Sequence, residues 1–405
     1  MSMLASWTAD MWSPIINLFS FIPSFGFMII VFTIFLKLVL SPLDVWQRKV
    51  SRDSMKKQSK LQPELDKLKK SCGNNQQLLN QKTMQLYKRE GYNVVGSCFS
   101  MLINMVLTIF IFFTLFSALM EISQNNTYDQ YKELDMVYQQ TIVSELGATD
   151  FEGAQVILDG YVAANLDEAR TYLVDEKKIE NPTEIQIKQQ AFAMVAEDEL
   201  KDEFDAVQAA VALKYEEIKD SWLWVDNIWR PDTYVSGFPN FADFNGMANV
   251  NGHLPGDKNK GNREYIQMTY DVITADVQGS YSSWNGYFIL VVLSGVVTYL
   301  SLRITQGSSK KKQTAFKPVN NSVKQINPQA NTAQNANGAM GIMKFIMPVV
   351  MIIFTFSYSA AFALYIVTNS AMATIISFVS MKIFDKMDKN KELKNKDNKK
   401  IEYSR

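Results

Sequence analysis

Four stretches without a charged side chain, Met11–Leu36, Gly91–Met120, Val277–Leu302 and Phe345–Met381, divide this 405-residue chain. A helix needs about 20 residues to cross roughly 30 Å of hydrocarbon, so each of the first three runs holds one span. The fourth has 37 residues, which as a helix is about 55 Å, too long for one upright span. Its polar, small-residue break at Ser357-Tyr358-Ser359-Ala360-Ala361 predicts two short spans joined by a tight turn. Lys344 and Lys382, at the ends of that run, then snorkel to the same face. The predicted fold class is all-α: a polytopic membrane protein of five transmembrane helices, a cytoplasmic helical hairpin and an extracytoplasmic helical insertion.

Composition alone hides this organisation, because 41 basic and 41 acidic residues cancel. By position the charges are sorted. Asp44–Asn93 holds twelve Lys/Arg against five Asp/Glu, Arg303–Lys344 seven against none, and Lys382–Arg405 nine against five. Ser123–Ser280 holds twelve against twenty-nine. The positive-inside rule places the three basic blocks in the cytoplasm. The N-terminus and the acidic stretch then lie outside, an orientation that four spans would break by putting the Lys-rich tail outside. The expected location is a bacterial plasma membrane, with the N-terminus outside and the C-terminus cytoplasmic.

The predicted boundaries follow. The first span covers 15–43 with an interfacial lead-in, the hairpin 44–92 and the second span 93–121. The acidic insertion covers 122–220, and a further external segment covers 221–280. The third span covers 281–303, a cytoplasmic linker 304–340, the fourth and fifth spans 341–358 and 360–383, and the basic tail 384–405. Asp10 is the only charge before the first run, so a basic secretory-signal n-region is missing, and the first helix reads as a retained N-out anchor. Cys72 and Cys98 fall at the hairpin tip and the start of the second span, outside the external domain, so no structural disulfide is expected.

Enzyme chemistry finds little support. His253 is the only histidine, which leaves no His-based triad and no His-rich metal site. A G-x-x-x-x-G-K-[ST] phosphate loop is missing, so nothing marks an ATP motor. No catalytic residue, metal site or cofactor is expected.

One charge interrupts an apolar run. Lys37 follows the uncharged Met11–Leu36, and apolar residues resume to Leu43. A charge at the centre of a bilayer helix costs roughly 2.5–3.5 kcal/mol on insertion scales, so such residues usually face protein or a wet cavity. The alternative is a lysine snorkelling from the helix end two turns away; on the residues alone both readings stand. The hairpin reads as two helices, Trp46 to about Lys70 and Gln76–Glu90. Leu61, Leu65 and Leu68 make one apolar stripe, Leu79, Met84, Leu86 and Tyr87 the other, with a turn at Cys72-Gly73-Asn74-Asn75. Its basic residues either fix topology beside anionic lipid or form a docking arm for an RNA-rich partner.

Three segments occur in order here: Leu36-Lys37-Leu38-Val39-Leu40-Ser41-Pro42-Leu43, Leu61-Gln62-Pro63-Glu64-Leu65-Asp66-Lys67-Leu68, and Tyr87-Lys88-Arg89-Glu90-Gly91-Tyr92-Asn93-Val94-Val95-Gly96-Ser97-Cys98. Together they resemble the YidC/Oxa/Alb family of membrane insertases. The resemblance resumes at Trp222-Leu223-Trp224-Val225-Asp226 with Arg230-Pro231-Asp232, and at Lys344–Phe384 with Ala363-Leu364-Tyr365 and Asn369. It does not extend over about Ser123 to Asp220.

The resemblance implies a groove open to the cytoplasm and to lipid, in which a basic residue attracts the polar or acidic part of a client. The groove residues it implies are Lys37, Asn104, Thr108, Tyr365 and Asn369. Lys37 stands where bacterial members usually carry arginine; lysine keeps the charge but loses the planar fork. Asn104 stands where glutamine is common and Ile366 where tryptophan is common, and Ser359-Ala360-Ala361 replaces a Pro/Gly-containing turn. Implied partners are nascent membrane proteins, the lipid bilayer, a ribosome and targeting particle, and the general secretion channel. Lys56, Lys57, Lys60, Lys67, Lys69 and Lys70 are the docking candidates. The rival readings are a small-anion transporter and a membrane scaffold with a functional external domain. A transporter is expected to show internal repeats and broken paired helices, and none is seen in the sequence.

Thr108 and Thr114 add hydroxyls to the second span, though threonines commonly bond their own helix. In the acidic stretch, Ile185, Ala191, Phe192, Val195, Phe204, Val207, Val211 and Ile218 suggest one long buried helical stripe, with a start at Asn181-Pro182-Thr183-Glu184. Asn249–Asn262 reads as a flexible loop and Phe316–Gly338 as a disordered linker.

Overall fold

The computed structural model describes residues 2–73, 75–90, 94–246, 260–278, 284–313 and 345–403. Every regular element among them is a helix, and two isolated bridges, Trp222–Val225 and Ser236–Trp284, are the only β pairings there. Both segments read as flexible or disordered, Asn249–Asn262 for the most part and Phe316–Gly338 wholly, lie outside the described residues.

The helices are α1 (Ser2–Asn17), α2 (Phe25–Cys72), α3 (Gln76–Arg89), α4 (Val94–Glu145), α5 (Phe151–Ala164), α6 (Leu166–Asp175), α7 (Glu184–Glu197), α8 (Lys201–Ile218) and α9 (Phe241–Gly246). They continue with α10 (Lys260–Ile273), α11 (Ala275–Gln278), α12 (Ile289–Gln313), α13 (Phe345–Ser357) and α14 (Ala360–Tyr403). By length and composition, stretches of α2, α4 and α14 can each cross a membrane: Phe25–Val50, Val106–Glu145 and Ala360–Asn390. Ile289–Ile304 and Phe345–Ser357 are shorter apolar helices. The chain is an all-α, polytopic membrane protein.

Two compact units share these elements. The first comprises Met1–Met28, Leu115–Val291 and Thr355–Ala363. Its core is aromatic: Tyr131, Tyr138, Phe192, Phe204, Phe244 and Tyr270 are all nearly fully buried. The helix start at Thr183 forms as a reciprocal cap, the Thr183 hydroxyl accepting from Gln186 N while the Gln186 side chain accepts from Thr183 N. The single long stripe expected downstream is instead two helices. Leu200 N bonds back to Val195 O at 2.9 Å and closes α7, so that Leu200 itself enters the core before α8 begins. Phe192 and Phe204 then meet edge to face at 5.4 Å. Ile187 occupies the core place foreseen for Ile185, which is half-buried. The core also reaches beyond the predicted boundary at 220, taking in Ile266, Tyr270 and Ile273 of α10.

The helix α2 begins at Phe25, inside the segment 15–43 predicted for the first span. The uncharged run from Met11 is divided between α1 and α2 by a turn around Pro23 in which Phe19 N and Ile22 N bond three residues back. Directly after the turn, a Cβ on Gly26 would lie 2.2 Å from the Trp222 ring, so only glycine allows this approach.

Residues 219–240 form a polar knot in the same unit. The Asn227 amide donates to Gln130 Oε1, Tyr215 Oη and Gly237 O at 3.0–3.1 Å, and the Asn285 amide donates to the carbonyls of Asn227 and Pro231. Buried Asp232 accepts from Tyr287 N at 2.9 Å, just before α12, and from Leu290 N at 2.6 Å, one of the first amides of that helix. The carbonyls of Arg230 and Ile228 take the first amides of α14, from Ala360 at 2.8 Å and Ala361 at 3.0 Å. The break foreseen at Ser357–Ala361 therefore exists as a helix start held by this knot. Burial lowers the pKa of the Arg230 guanidinium, and Asp243, 3.5 Å away, opposes that shift.

The second unit comprises Ile29–Thr114, Val292–Phe354 and Leu364–Arg405. Its first surprise is continuity: α2 runs unbroken through Pro42 and Pro63, so the first span and the first hairpin arm are one 48-residue helix. Pro42 removes the amide that would serve Leu38 O, and the Ser41 hydroxyl donates to that carbonyl at 2.8 Å. Gly73, with φ +54°, ends the helix in the left-handed conformation glycine tolerates best. Leu61, Leu65 and Leu86 form the hairpin core with Leu68 and Tyr87 against it. Met84, assigned to the stripe from sequence, is 54% exposed because it falls off the face that Leu79 and Leu86 share. Arg89 pairs with Glu64 across the arms at 2.6 Å. Further along the unit, a Cβ on Gly295 of α12 would lie 2.6 Å from Ile352 of α13, so small size sets the approach of these two helices.

Candidate functional site

Apolar side chains on three helices of the second unit leave a polar cavity between them. Lys37 and Asp44 come from α2, Thr108 from α4, and Tyr365 and Asn369 from α14, with Leu36, Leu40, Ile111 and Phe112 among the walls. The local reason is helical spacing. Leu36, Leu40 and Asp44 repeat every four residues on one face of α2; Thr108, Ile111 and Phe112 share a face of α4, and Tyr365 and Asn369 are one turn apart on α14. The cavity is about 60 Å³. A water needs roughly 10–15 Å³ of such volume, so the space suits a few waters or one small polar group and not a folded segment.

Lys37 is 16% exposed and Asp44 21%, with the ammonium 3.9 Å from Asp44 Oδ2. The ammonium therefore reaches two turns along its own helix, as the snorkelling alternative requires. It also lines the cavity with Tyr365 and Asn369, as the groove reading requires. Tyr365 is buried and Asn369 half-buried, while Thr108 is exposed. The side chain of Asn104 lies outside the described residues. Thr114 does what many helical threonines do, its hydroxyl donating to Phe110 O at 2.9 Å.

The six docking lysines divide. Lys57, Lys60, Lys67 and Lys70 are exposed, and the side chain of Lys69 lies outside the described residues. Lys56 is engaged elsewhere, 2.5 Å from Asp388 Oδ1 of α14. It belongs to a clasp that sequence reasoning missed. Arg48 donates to the buried Ser377 hydroxyl at 2.8 Å, and Arg52 bonds Asp385 at 2.7 Å and also Asp388, with its guanidinium 5.7 Å from the Phe384 ring centre. The four-residue spacing of Arg48, Arg52 and Lys56 was a visible signal. Their partners lie more than 320 positions away, which left it unread.

The fold and this site define a class: a multi-pass helical membrane protein whose apolar bundle surrounds a small, cation-bearing polar cavity, with a basic helical hairpin in the same unit. Residues 17–196 match the model of the 60Kd inner membrane protein family. The chain is similar to the membrane protein insertase YidC of Fusobacterium nucleatum, with 34% identity over 32% of this chain and 61% of that protein. Its similarity to the protein of that name from Leptospira interrogans is 41% over 24% of this chain and 14% of the relative. For that of Caldanaerobacter subterraneus it is 36% over 22% and 40%. The aligned part thus spans less than two thirds of each of these relatives. No solved structure matches the chain.

Proposed function

We propose that this protein is an insertase without its own energy source, which takes a polar side chain from the short translocated segment of a client membrane protein into the Lys37 cavity while the client's apolar helix leaves along lipid. The observation that carries this reading is the cavity itself: one ammonium, a carboxamide and two hydroxyl-bearing residues from three different helices, walled by leucine, isoleucine and phenylalanine. A buried polar group without a partner is costly. Such a cavity lowers that cost for a client's polar residues inside an otherwise apolar bundle. Attraction and release there need no bond-making step, so the protein is not an enzyme in the usual sense.

On the five-span reading, the N-terminus lies outside and the hairpin and tail lie in the cytoplasm. Lys57, Lys60, Lys67 and Lys70, all exposed, then face the side from which a ribosome or targeting particle delivers clients, and action beside the general secretion channel is compatible with that placement. The test is complementation of insertase-depleted bacterial cells, reading insertion of a single-span client with an acidic translocated tail. Wild type and Lys37→Arg are expected to insert it, and Lys37→Ala to lose about tenfold, the equivalent of ~1.4 kcal/mol. A stably expressed wild type that inserts nothing overturns the reading.

A further inference from the structure

Among the described residues Asp44 is the one acidic side chain lining the cavity, and it stands beside the cation that a client's acid would use. We propose that Asp44 is an internal stand-in for that client group: it occupies Lys37 in the resting groove, is displaced by an acidic client segment, and so sets which clients engage. The proposal rests on the groove reading above and adds a specificity-determining residue to it.

The geometry favours exchange. Lys37 and Asp44 are seven residues apart, about 10.5 Å along the helix axis, and only the length of the lysine brings them together. Their closest approach is 3.9 Å, longer than the roughly 2.7–2.9 Å of a charge-assisted hydrogen bond. A client carboxylate entering the cavity is not tethered to α2 and can reach that shorter distance. It therefore makes a stronger contact than the one it replaces. A neutral polar segment offers nothing equivalent, and for it Asp44 keeps the cation.

The released carboxylate stays close to charge. Arg48 lies one turn further along the same helix, its Nη1 donating to Ser377, and its guanidinium has more donors than that bond uses. Asp44 thus moves between two cations on one helix face while remaining ion-paired. Lys37 gains a counter-ion in both states, so the groove never holds an isolated ammonium, which in a low-dielectric setting is the costly condition. In this account Asp44 raises the threshold for entry: weakly polar segments fail to displace it, and carboxylate-bearing ones succeed.

The experiment uses the full-length protein in proteoliposomes and ribosome-bound nascent chains. Each chain carries a photoreactive residue beside either an acidic or a neutral polar segment, and the readout is the acidic-to-neutral ratio of adduct yields. Asp44→Asn and, independently, Asp44→Ser are expected to raise the ratio at least threefold, because Lys37 is then unoccupied. Lys37→Ala is expected to lower it, and Lys37→Ala/Asp44→Asn to match Lys37→Ala, since Asp44 acts only through Lys37. If both Asp44 variants leave or lower the ratio while Lys37→Ala still reduces it, this proposal fails and the groove reading stands. A rise that persists without Lys37 also overturns it. If Lys37→Ala keeps the wild-type ratio, the groove reading itself is what fails.

Discussion

Lys37 is one methylene chain and one charge, and both properties are used. The chain length lets the ammonium reach Asp44 two turns away, and the charge gives the cavity its only cation among the described lining residues. Arginine keeps the charge and is longer still, so Lys37→Arg is expected to insert an acidic-tailed client within about twofold of wild type in a pulse-labelled protease-protection assay. The packing around Asp232 makes a second prediction at this scale. A Cβ on Gly286 would lie 1.9 Å from Asp232 Oδ1, and that carboxylate holds the amides of Tyr287 and of Leu290 at the start of α12. Gly286→Ala must push it away, costing about 1–3 kcal/mol, seen as a lowered thermal-unfolding midpoint in detergent. Lys37 was legible from sequence because a charge inside an apolar run is conspicuous. Asp44 was not, because it stands where the charged hairpin residues begin and looks like the first of them. Met84 was misplaced for a related reason: helical periodicity gives a face only approximately on a fourteen-residue helix.

At the scale of elements, charge boundaries marked where the chain changes surroundings and said little about where helices end. The backbone of α2 ignores the boundary at Asp44, and α4 continues from its apolar half to Glu145. Caps and glycines, by contrast, were readable. The Thr183 start and the Gly73 stop are both where their local chemistry requires them. Thr183→Ala removes one side of a reciprocal cap and is expected to destabilise the acidic unit by ~1 kcal/mol, measured as faster limited proteolysis near residues 180–200 with membrane-embedded segments still protected. The Arg48–Arg52–Lys56 clasp lay beyond sequence reasoning, since three cations on a basic hairpin look like solvated charge until α14 supplies Ser377, Asp385 and Asp388. Arg52→Ala is expected to speed amide exchange in α14 after Phe384, where the helix loses both its ion pairs to that guanidinium and the cation above its ring.

The whole molecule divides into a unit that holds the polar cavity and a unit with an acidic, aromatic-cored helical domain. Charge alone marked both in the sequence; Ile266, Tyr270 and Ile273, beyond the segment that gave the helical stripe, complete the core of the second. Replacing the exposed acids Asp159, Asp167 and Glu168 by their amides is expected to leave client insertion within about twofold, whereas a scaffold working through its external domain would lose function. The central claim is that clients enter the cavity lined by Thr108 and Asn369, and site-specific photocrosslinking tests it most directly. A photoreactive residue is placed at 108, at 369 or, for comparison, at the exposed Tyr161 of α5. The account predicts adducts to a stalled acidic-tailed client from 108 and 369 and none from 161. Adducts from 161 alone, in protein that still inserts the client, would contradict it.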